Sequence, residues 1–306
     1  MEEQLTDRPD DLSARTQLLG NYFLGRWNSP EIKKTRQAHV LWIIEHHPEA
    51  DICGSPEAGL DAILESVAYR EARELWLKKS DGDGVSAKVL GNAANFLLLQ
   101  SPEDAERLLK RAQALEPQNP EWPQRLGHLY QLKSRNLFGK TDREAAKRAL
   151  IAYEQALDAS PKADRYLLLD DTAKAALAAG ELEKARRYAT EVLDLAVETD
   201  ANRDWNHGNA IHHGNLVLGR VALAEGKIEE AEKFLLKAGK TPGSPQLNSF
   251  GPNMLLAKEL LEKGRKEAVI EYLRLCGRFW NKSQTDKWIE HIEAGKTPDF
   301  GANLDY

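Results

Sequence analysis

Cysteine is nearly missing from this chain. Cys53 and Cys276 are the only two in 306 residues, too few and too far apart in sequence to imply a disulfide framework. A basic excess is missing as well. Lys and Arg number 42 against 48 Asp and Glu, a formal net charge of -6, so the concentrated positive face that phosphate neutralisation demands is not expected, and nucleic acid is set aside as a partner. Long hydrophobic runs are absent. LWII at 41–44 is among the longest, far short of the roughly 20 residues that span a bilayer. The opening MEEQLTDRPDD is acidic with no apolar core, which does not read as a signal peptide. No membrane partner is expected, and a reducing, cytoplasmic setting is. Strand signals are scarce too: apolar and polar residues do not alternate with a period of two.

What remains is helical. Hydrophobic residues make up 42% and charged residues 29%, which suits a core-forming chain. Ala, Leu, Glu, Lys and Arg recur at helical spacing, with Pro and Gly as punctuation about one short helix apart. Aligned on their small residues, several segments share one pattern. SPEDAERLLKRAQALEP carries Ala105, Leu109, Ala112 and Pro117, and TDREAAKRALIAYEQALDASP carries Ala149, Tyr153, Ala156 and Pro161. GELEKARRYATEVLDLA supplies Ala185, Ala189 and Val192; GKIEEAEKFLLKAGKTP supplies Ala231, Leu235 and Ala238; GRKEAVIEYLRLCG, with Ala268 and Tyr272, is a looser copy. A small residue where two helices cross lets their backbones approach, and a large one a turn later fills the adjoining groove. Leu126, Gly127 and Tyr130 precede the Ala149 helix in this way, as Leu218, Gly219 and Ala222 precede the Ala231 helix. Gly180, Gly226 and Gly264 fall between paired helices, where a left-handed residue ends the first.

The pattern resembles the tetratricopeptide repeat, a 34-residue helix–turn–helix unit, over about residues 86–280 and more loosely over 10–50. Successive marker alanines stand 44, 36, 46 and 37 residues apart, each one period plus an excess, with the large excesses at 131–142 and 199–213. The resemblance implies an all-α solenoid, a right-handed superhelix of antiparallel helix pairs. A divergent N-terminal helical region is expected over 1–84 and repeats over 85–280. A polar capping helix and tail follow at 281–306, as solenoids need to cover a last apolar face. Near the N-terminus LLGNYF at 18–23 reads as a first helix and RQAHVLWIIEHHP at 36–48 as a second, ending on Pro48. Residues 56–79 read as a further helical segment, followed by the loop SDGDGVS.

Motifs that could carry chemistry are weak. Three triplets, Gly139-Lys140-Thr141, Gly239-Lys240-Thr241 and Gly295-Lys296-Thr297, lack the earlier glycine of a phosphate loop; Ser134, Phe234 and Glu290 stand there instead, so helix ends and turns are expected. A calcium loop centred on Gly84 would put Lys79 and Leu90 at ligand positions, which excludes it. His207, His212 and His213, with Asp204 nearby, lack the spacing of a metal pair on one helix face and read as a polar contact surface. His46 and His47 before Pro48 suit a helix C-terminus. Glu65, Glu71 and Glu74 with Arg70 and Arg73 read as a solvated, ion-paired face. No nucleophile elbow appears and neither cysteine has a nearby base, so no enzyme, metal or cofactor is expected. Trp42, Trp76 and Trp122 read as core, and Trp205 and Trp280 as partly exposed.

In the family the first helices of successive units line a concave face on which partners dock. Carried over by register, the residue after each crossing position should face that groove: His128, Lys174, Arg220 and Lys258, with Asn21 in the N-terminal copy and Asn92 and Asn95 in the second. Four basic side chains in an acidic protein suggest an acidic segment or a C-terminal carboxylate, held by charge-assisted hydrogen bonds. The carboxylate clamp of the family's chaperone-binding members is not reproduced, since Gln17 stands where its first lysine would fall. The function expected is a non-enzymatic scaffold for a protein or peptide. The alternative is an accessory subunit whose insertions at 131–142 and 199–213 carry the contact, with a ligand near the histidines.

Overall fold

Polar caps and left-handed glycines delimit the helices. The fold is that of a computed structural model, in which residues 2–27, 29–135, 141–161, 164–198 and 205–304 are described. Among them β structure is limited to one isolated bridge, Arg135 to Thr141; the rest is helix and loop. The chain divides into two compact units, Met1–Leu129 and Tyr130–Tyr306.

The first unit contains α1 (Glu2–Asp7), α2 (Leu12–Gly25), α3 (Pro30–His46), α4 (Ser66–Lys79), α5 (Ala87–Leu97) and α6 (Pro102–Leu115), and most of α7 (Glu121–Ser134). Asp11 caps α2 through the Ala14 amide, and Ser29 caps α3 through Ile32, with Pro30 in the first turn, the arrangement that satisfies otherwise orphaned N–H groups. His46 ends α3 as expected, its ring stacked on Trp42 and its Nδ1 2.8 Å from the Trp42 carbonyl. α2 packs on α3, α3 on α4, and α5 on α6. Their contact surfaces bury Leu19, Val40, Ile43, Ile44, Trp76 and Leu90, each contributing roughly 1.5–3 kcal/mol or more of apolar transfer. At Gly91 of α5 an added Cβ would lie 2.4 Å from the Trp122 ring, so the small residue is what admits α7.

The reading of 56–79 as one helix needs correction. Pro56–Ala58 form a single 3-10 turn and helix resumes only at Ser66. Residues 57–65 are held as a loop by Arg36, which is fully buried and bonds to Glu65 and to the carbonyls of Glu57 and Gly59. Glu65 is therefore not part of a solvated face: it is buried, and removing its partner would strand a charge.

The second unit continues with α8 (Arg143–Ala159), α9 (Tyr166–Ala179), α10 (Leu182–Glu198), α11 (His207–Ala224), α12 (Ile228–Gly239), α13 (Pro245–Phe250), α14 (Leu255–Glu262), α15 (Lys266–Cys276) and α16 (Lys282–Glu293). Each of α8 to α12 packs on its neighbour in sequence, α9 also touches α11, and α12 touches α14 and α15. This is the stacking of helix pairs that defines an all-α solenoid. Ala149, Ala185 and Ala231 are buried at the crossings, but Ala268 is only half-buried and Val269 takes its place in the core. Gly180 and Gly226 end α9 and α11 at φ of 81° and 78°, as their spacing predicts. α16 covers the last face with Trp288, Ile289 and Ile292, and the Trp288 indole N–H donates to the Asp299 carbonyl. The expected divisions at 84/85 and 280/281 fall in the connections before α5 and before α16.

Candidate functional site

The second unit contains a cavity of about 350 Å³ lined by the end of α7 and by α8, α9, α11 and α14. That is the low end of the range for ligand pockets, large enough for a few side chains. Its floor is made of small and branched residues, among them Ala149, Ala175, Ala178, Leu216, Val217 and Leu255. The alanines follow from helix crossing: the residues that let α8 and α9 approach also leave the space open.

The cationic groups around this floor are Arg135, Lys174, Arg220 and Lys258, and none of the described lining residues is acidic. Lys174 on α9, Arg220 on α11 and Lys258 on α14 are three of the residues that the register selects, and the structure places all three on one cavity. Each is backed by a carboxylate outside the lining. Arg220 makes a two-pronged contact with Glu259, Nε to Oε2 at 3.0 Å and Nη2 to Oε1 at 2.9 Å. Lys258 lies 3.2 Å from Glu262, and Lys174 donates to Asp170 at 2.8 Å. These pairs fix the directions in which the remaining N–H groups point.

Asp170 receives a second donor. His213 Nδ1 is 2.7 Å from the same Oδ2; a carboxylate only accepts, so this nitrogen carries the proton. Lys174 Nζ is 3.2 Å from His213 Nδ1, which completes a three-membered cluster. Burial alone would raise the Asp170 pKa, but the charges and hydrogen bonds of His213 and Lys174 hold it well below the usual carboxylate range.

The neighbouring His212 is fully buried and makes its hydrogen bonds to backbone groups outside this cluster. The Asn253 amide donates to its Nε2 at 3.2 Å, so the proton sits on Nδ1, 3.2 Å from the Ala238 carbonyl. Burial, reinforced by His213, pushes its pKa down to about 3. The Asn253 carbonyl in turn accepts from the Tyr272 hydroxyl at 2.8 Å, and its side-chain Oδ1 accepts the Leu255 amide at 2.9 Å, just before α14. His212 thus fastens the Asn253 wall of the cavity to α11 and α12. The three histidines, read from the sequence as a polar contact surface, all lie within α11, where His212 and His213 are buried and His207 is half-buried. Among the described residues no three His, Cys, Asp or Glu side chains gather in a way that could hold a metal ion.

The remaining register residues are in the first unit. His128 on α7 and Asn21 on α2 are exposed. Asn92 is fully buried, and its amide donates to the carbonyls of Pro48 and Ala50 at 2.9 and 3.1 Å. Asn95 is exposed and donates to Gly54 at 2.9 Å. Both amides therefore hold the chain's own 48–54 segment against α5.

Of the turn motifs, Gly239 is the last residue of α12, and Gly295 is left-handed (φ 74°) just beyond α16. Gly139-Lys140, with the rest of 136–140 in the 131–142 insertion, and residues 199–204 of the 199–213 insertion, Asp204 included, lie outside the described residues. Trp76 and Trp122 are core, Trp42 and Trp280 are half-buried and Trp205 is exposed. No described helix is long and apolar enough to cross a membrane.

Fold and cavity together define an all-α helical-repeat protein with a cation-lined hollow in its second unit. No family model and no curated protein sequence matches the chain. Among solved structures it is similar to one reported as "Functional Characterization of Pseudomonas Aeruginosa pilF", at 13% identity and a TM-score of 0.43, with 92% of this chain and 100% of that chain covered. At that score the likeness adds nothing to the helix packing already described.

Proposed function

We propose that the protein is a non-enzymatic binding scaffold whose second unit takes an acidic segment or C-terminal carboxylate of a protein partner. The observation that carries this reading is the cavity lining: Arg135, Lys174, Arg220 and Lys258 around an apolar floor, with no carboxylate among the described lining residues. A carboxylate seated there receives charge-assisted hydrogen bonds, each contributing about 1.5–3 kcal/mol net. An aliphatic side chain beside it fills the space over Ala149, Ala175 and Val217. The ligand class that fits is a short extended peptide combining one apolar residue with adjacent acids. Asn21 and His128 enter the proposal as exposed contacts of the first unit only.

Fluorescence anisotropy with labelled short peptides, acidic–apolar against amide-matched controls, tests it. Acidic peptides should bind, and the triple variant K174E/R220E/K258E should weaken them by at least about tenfold while leaving the helical signal intact. Equal affinity for acidic and amide peptides would reject the proposal.

A further inference from the structure

By sequence the stretch after α16, AGKTPDFGANLDY, is a polar tail. Its described part, up to Leu304, is folded back on the second unit. The Trp288 indole N–H donates to the Asp299 carbonyl at 3.0 Å, and the buried Phe300 ring meets Trp288 edge-on with centroids 5.1 Å apart. The Asp299 carboxylate then accepts the Gly301 amide at 2.9 Å, which opens a 3-10 turn over Gly301–Leu304.

From this turn Asn303 reaches the segment between α13 and α14. Its side-chain amide donates to the Phe250 and Pro252 carbonyls at 3.2 and 3.0 Å, and its own carbonyl accepts the Met254 amide at 2.8 Å. Phe250 ends α13, and Pro252 and Met254 lie between the helices, so these backbone groups stand outside the helical ladders and find their partner in the tail. The approach is close. At Gly251 (φ 91°) an added Cβ would lie 2.5 Å from the Trp280 ring and 2.7 Å from the Asn303 amide nitrogen.

The segment held in this way is part of the cavity wall. Asn253 and Leu255 line the cavity, with Lys258 one turn further along α14, and so does Leu304, the residue after Asn303. Leu216 and Val217 of the lining are buried within the helical stack. Leu304 is only half-buried, and the Asn303 contacts, not the register of a helix pair, set it on the cavity. A side chain that lines a cavity and keeps accessible surface has apolar area left to bury against a ligand.

We infer that this tail completes the binding site: Leu304 is the contact that selects the ligand's apolar residue, and Asn303 is the positioning residue that holds it beside the Asn253 wall. The inference rests on the acidic–apolar ligand class proposed for the cavity and divides the recognition between two sets of residues. Lys174, Arg220 and Lys258 distinguish a carboxylate from an amide. Leu304 distinguishes an aliphatic from a polar side chain next to it. The two are separable, because the pairs that orient the cations, with Asp170, Glu259 and Glu262, are made by residues of α9, α11 and α14 and not by the tail.

Fluorescence anisotropy of the full chain tests the inference, with labelled peptides carrying Leu or Ser beside two Asp, and a Leu peptide with Asn for both Asp. Wild type should prefer Leu to Ser by about tenfold or more. Leu304→Ala should bind the Leu peptide about three- to tenfold more weakly, bind the Ser peptide nearly as wild type does, and keep the preference for Asp over Asn. Leu304→Met, close in volume, should retain the Leu preference. Asn303→Ala, which strands the Phe250 and Pro252 carbonyls, should lose it. Leu304→Ala leaves those backbone bonds in place and decides the question should Asn303→Ala unfold. An undiminished Leu preference in Leu304→Ala, equal weakening of both peptides, or the tighter binding that an obstructing tail would give overturns the inference and leaves the carboxylate reading standing. A wild type indifferent to Asp against Asn would reject that reading and the inference with it.

Discussion

Lowering the pH should destabilise the second unit through one residue, His212. Its imidazole is fully buried, accepts the Asn253 amide and faces the Ala238 carbonyl through Nδ1, and burial pushes its pKa from 6.5 down to about 3. The charged form is thus disfavoured in the fold, and below pH 6.5 the unfolded chain binds more protons than the folded one. The stabilisation is fully present above 6.5 and is lost progressively as pH falls towards 3. Linkage gives a loss of about 2 kcal/mol at pH 5, a large fraction of a typical domain's stability. At a urea slope of about 2 kcal/mol/M it shifts the midpoint by roughly 1 M. The assay is urea unfolding of wild type and H212N at pH 7 and pH 5. Asn can still donate to Ala238, loses the acceptor for Asn253, and does not titrate. The variant should be less stable at pH 7, by about 1–3 kcal/mol for the stranded amide, and the gap should close by about 2 kcal/mol at pH 5. Taking the difference between the two proteins removes other groups that titrate over this range. Asp170 contributes little there, because its depressed pKa removes stability only as pH falls below the ordinary carboxylate value of 3.8. A gap unchanged between pH 7 and pH 5 would refute the reasoning.

Other outcomes follow from single positions. Gly208→Ala should cost several kcal/mol in thermal or urea unfolding, because its Cβ would lie 1.8 Å from the Gly243 carbonyl oxygen, a backbone atom that has to move. Gly20→Ala, with nothing within 4 Å inside α2, should instead raise stability by roughly 0.5–1 kcal/mol. Both cysteines are buried, and burial raises both thiol pKa values, that of Cys53 to about 12. A thiol reagent at pH 8 should therefore react with neither in the native protein and with both in denaturant. Asp142→Ala should cost about 1 kcal/mol at the start of α8, where its carboxylate accepts the amides of Glu144 and Ala145.

Much of the helical architecture is legible because it is local. Ala149, Ala185 and Ala231, their large followers a turn later and the left-handed Gly180 and Gly226 all act over one or two turns, and that spacing survives in the sequence. The register also selects Lys174, Arg220 and Lys258, which share a cavity because α9, α11 and α14 occupy equivalent positions in successive pairs. What escapes such reading depends on partners far away in sequence. Asn92 and Asn95 match a groove position, yet their amides bind backbone more than 40 residues earlier. Glu65 looks like one acid among several on a helix, and only the fold brings Arg36 against it. His212 and His213 are adjacent in sequence and opposite in environment. One is locked neutral by backbone groups; the other is seated on Asp170. The exposed Trp27 has no sequence signature at all, since exposure is a property of what fails to cover it.

The ion pairs behind the cavity bear on how it could select a ligand. If Lys174, Arg220 and Lys258 had no counter-ions, the hollow would attract any polyanion, and affinity would follow net charge and fall steeply with salt. Asp170, Glu259 and Glu262 largely cancel that long-range field while leaving oriented N–H groups at the rim. Recognition then depends on whether one carboxylate meets those donors while an apolar side chain fills the floor, which is a requirement of shape. The salt dependence of peptide binding separates the two modes. A shallow slope, with a large loss when the apolar residue is replaced by serine, is expected for the arrangement seen here. A steep slope indifferent to that residue would mean the counter-ions do not shield the site. Asp170→Asn, which frees Lys174 and His213 from their shared partner, should then steepen the slope and relax selectivity towards polyanions.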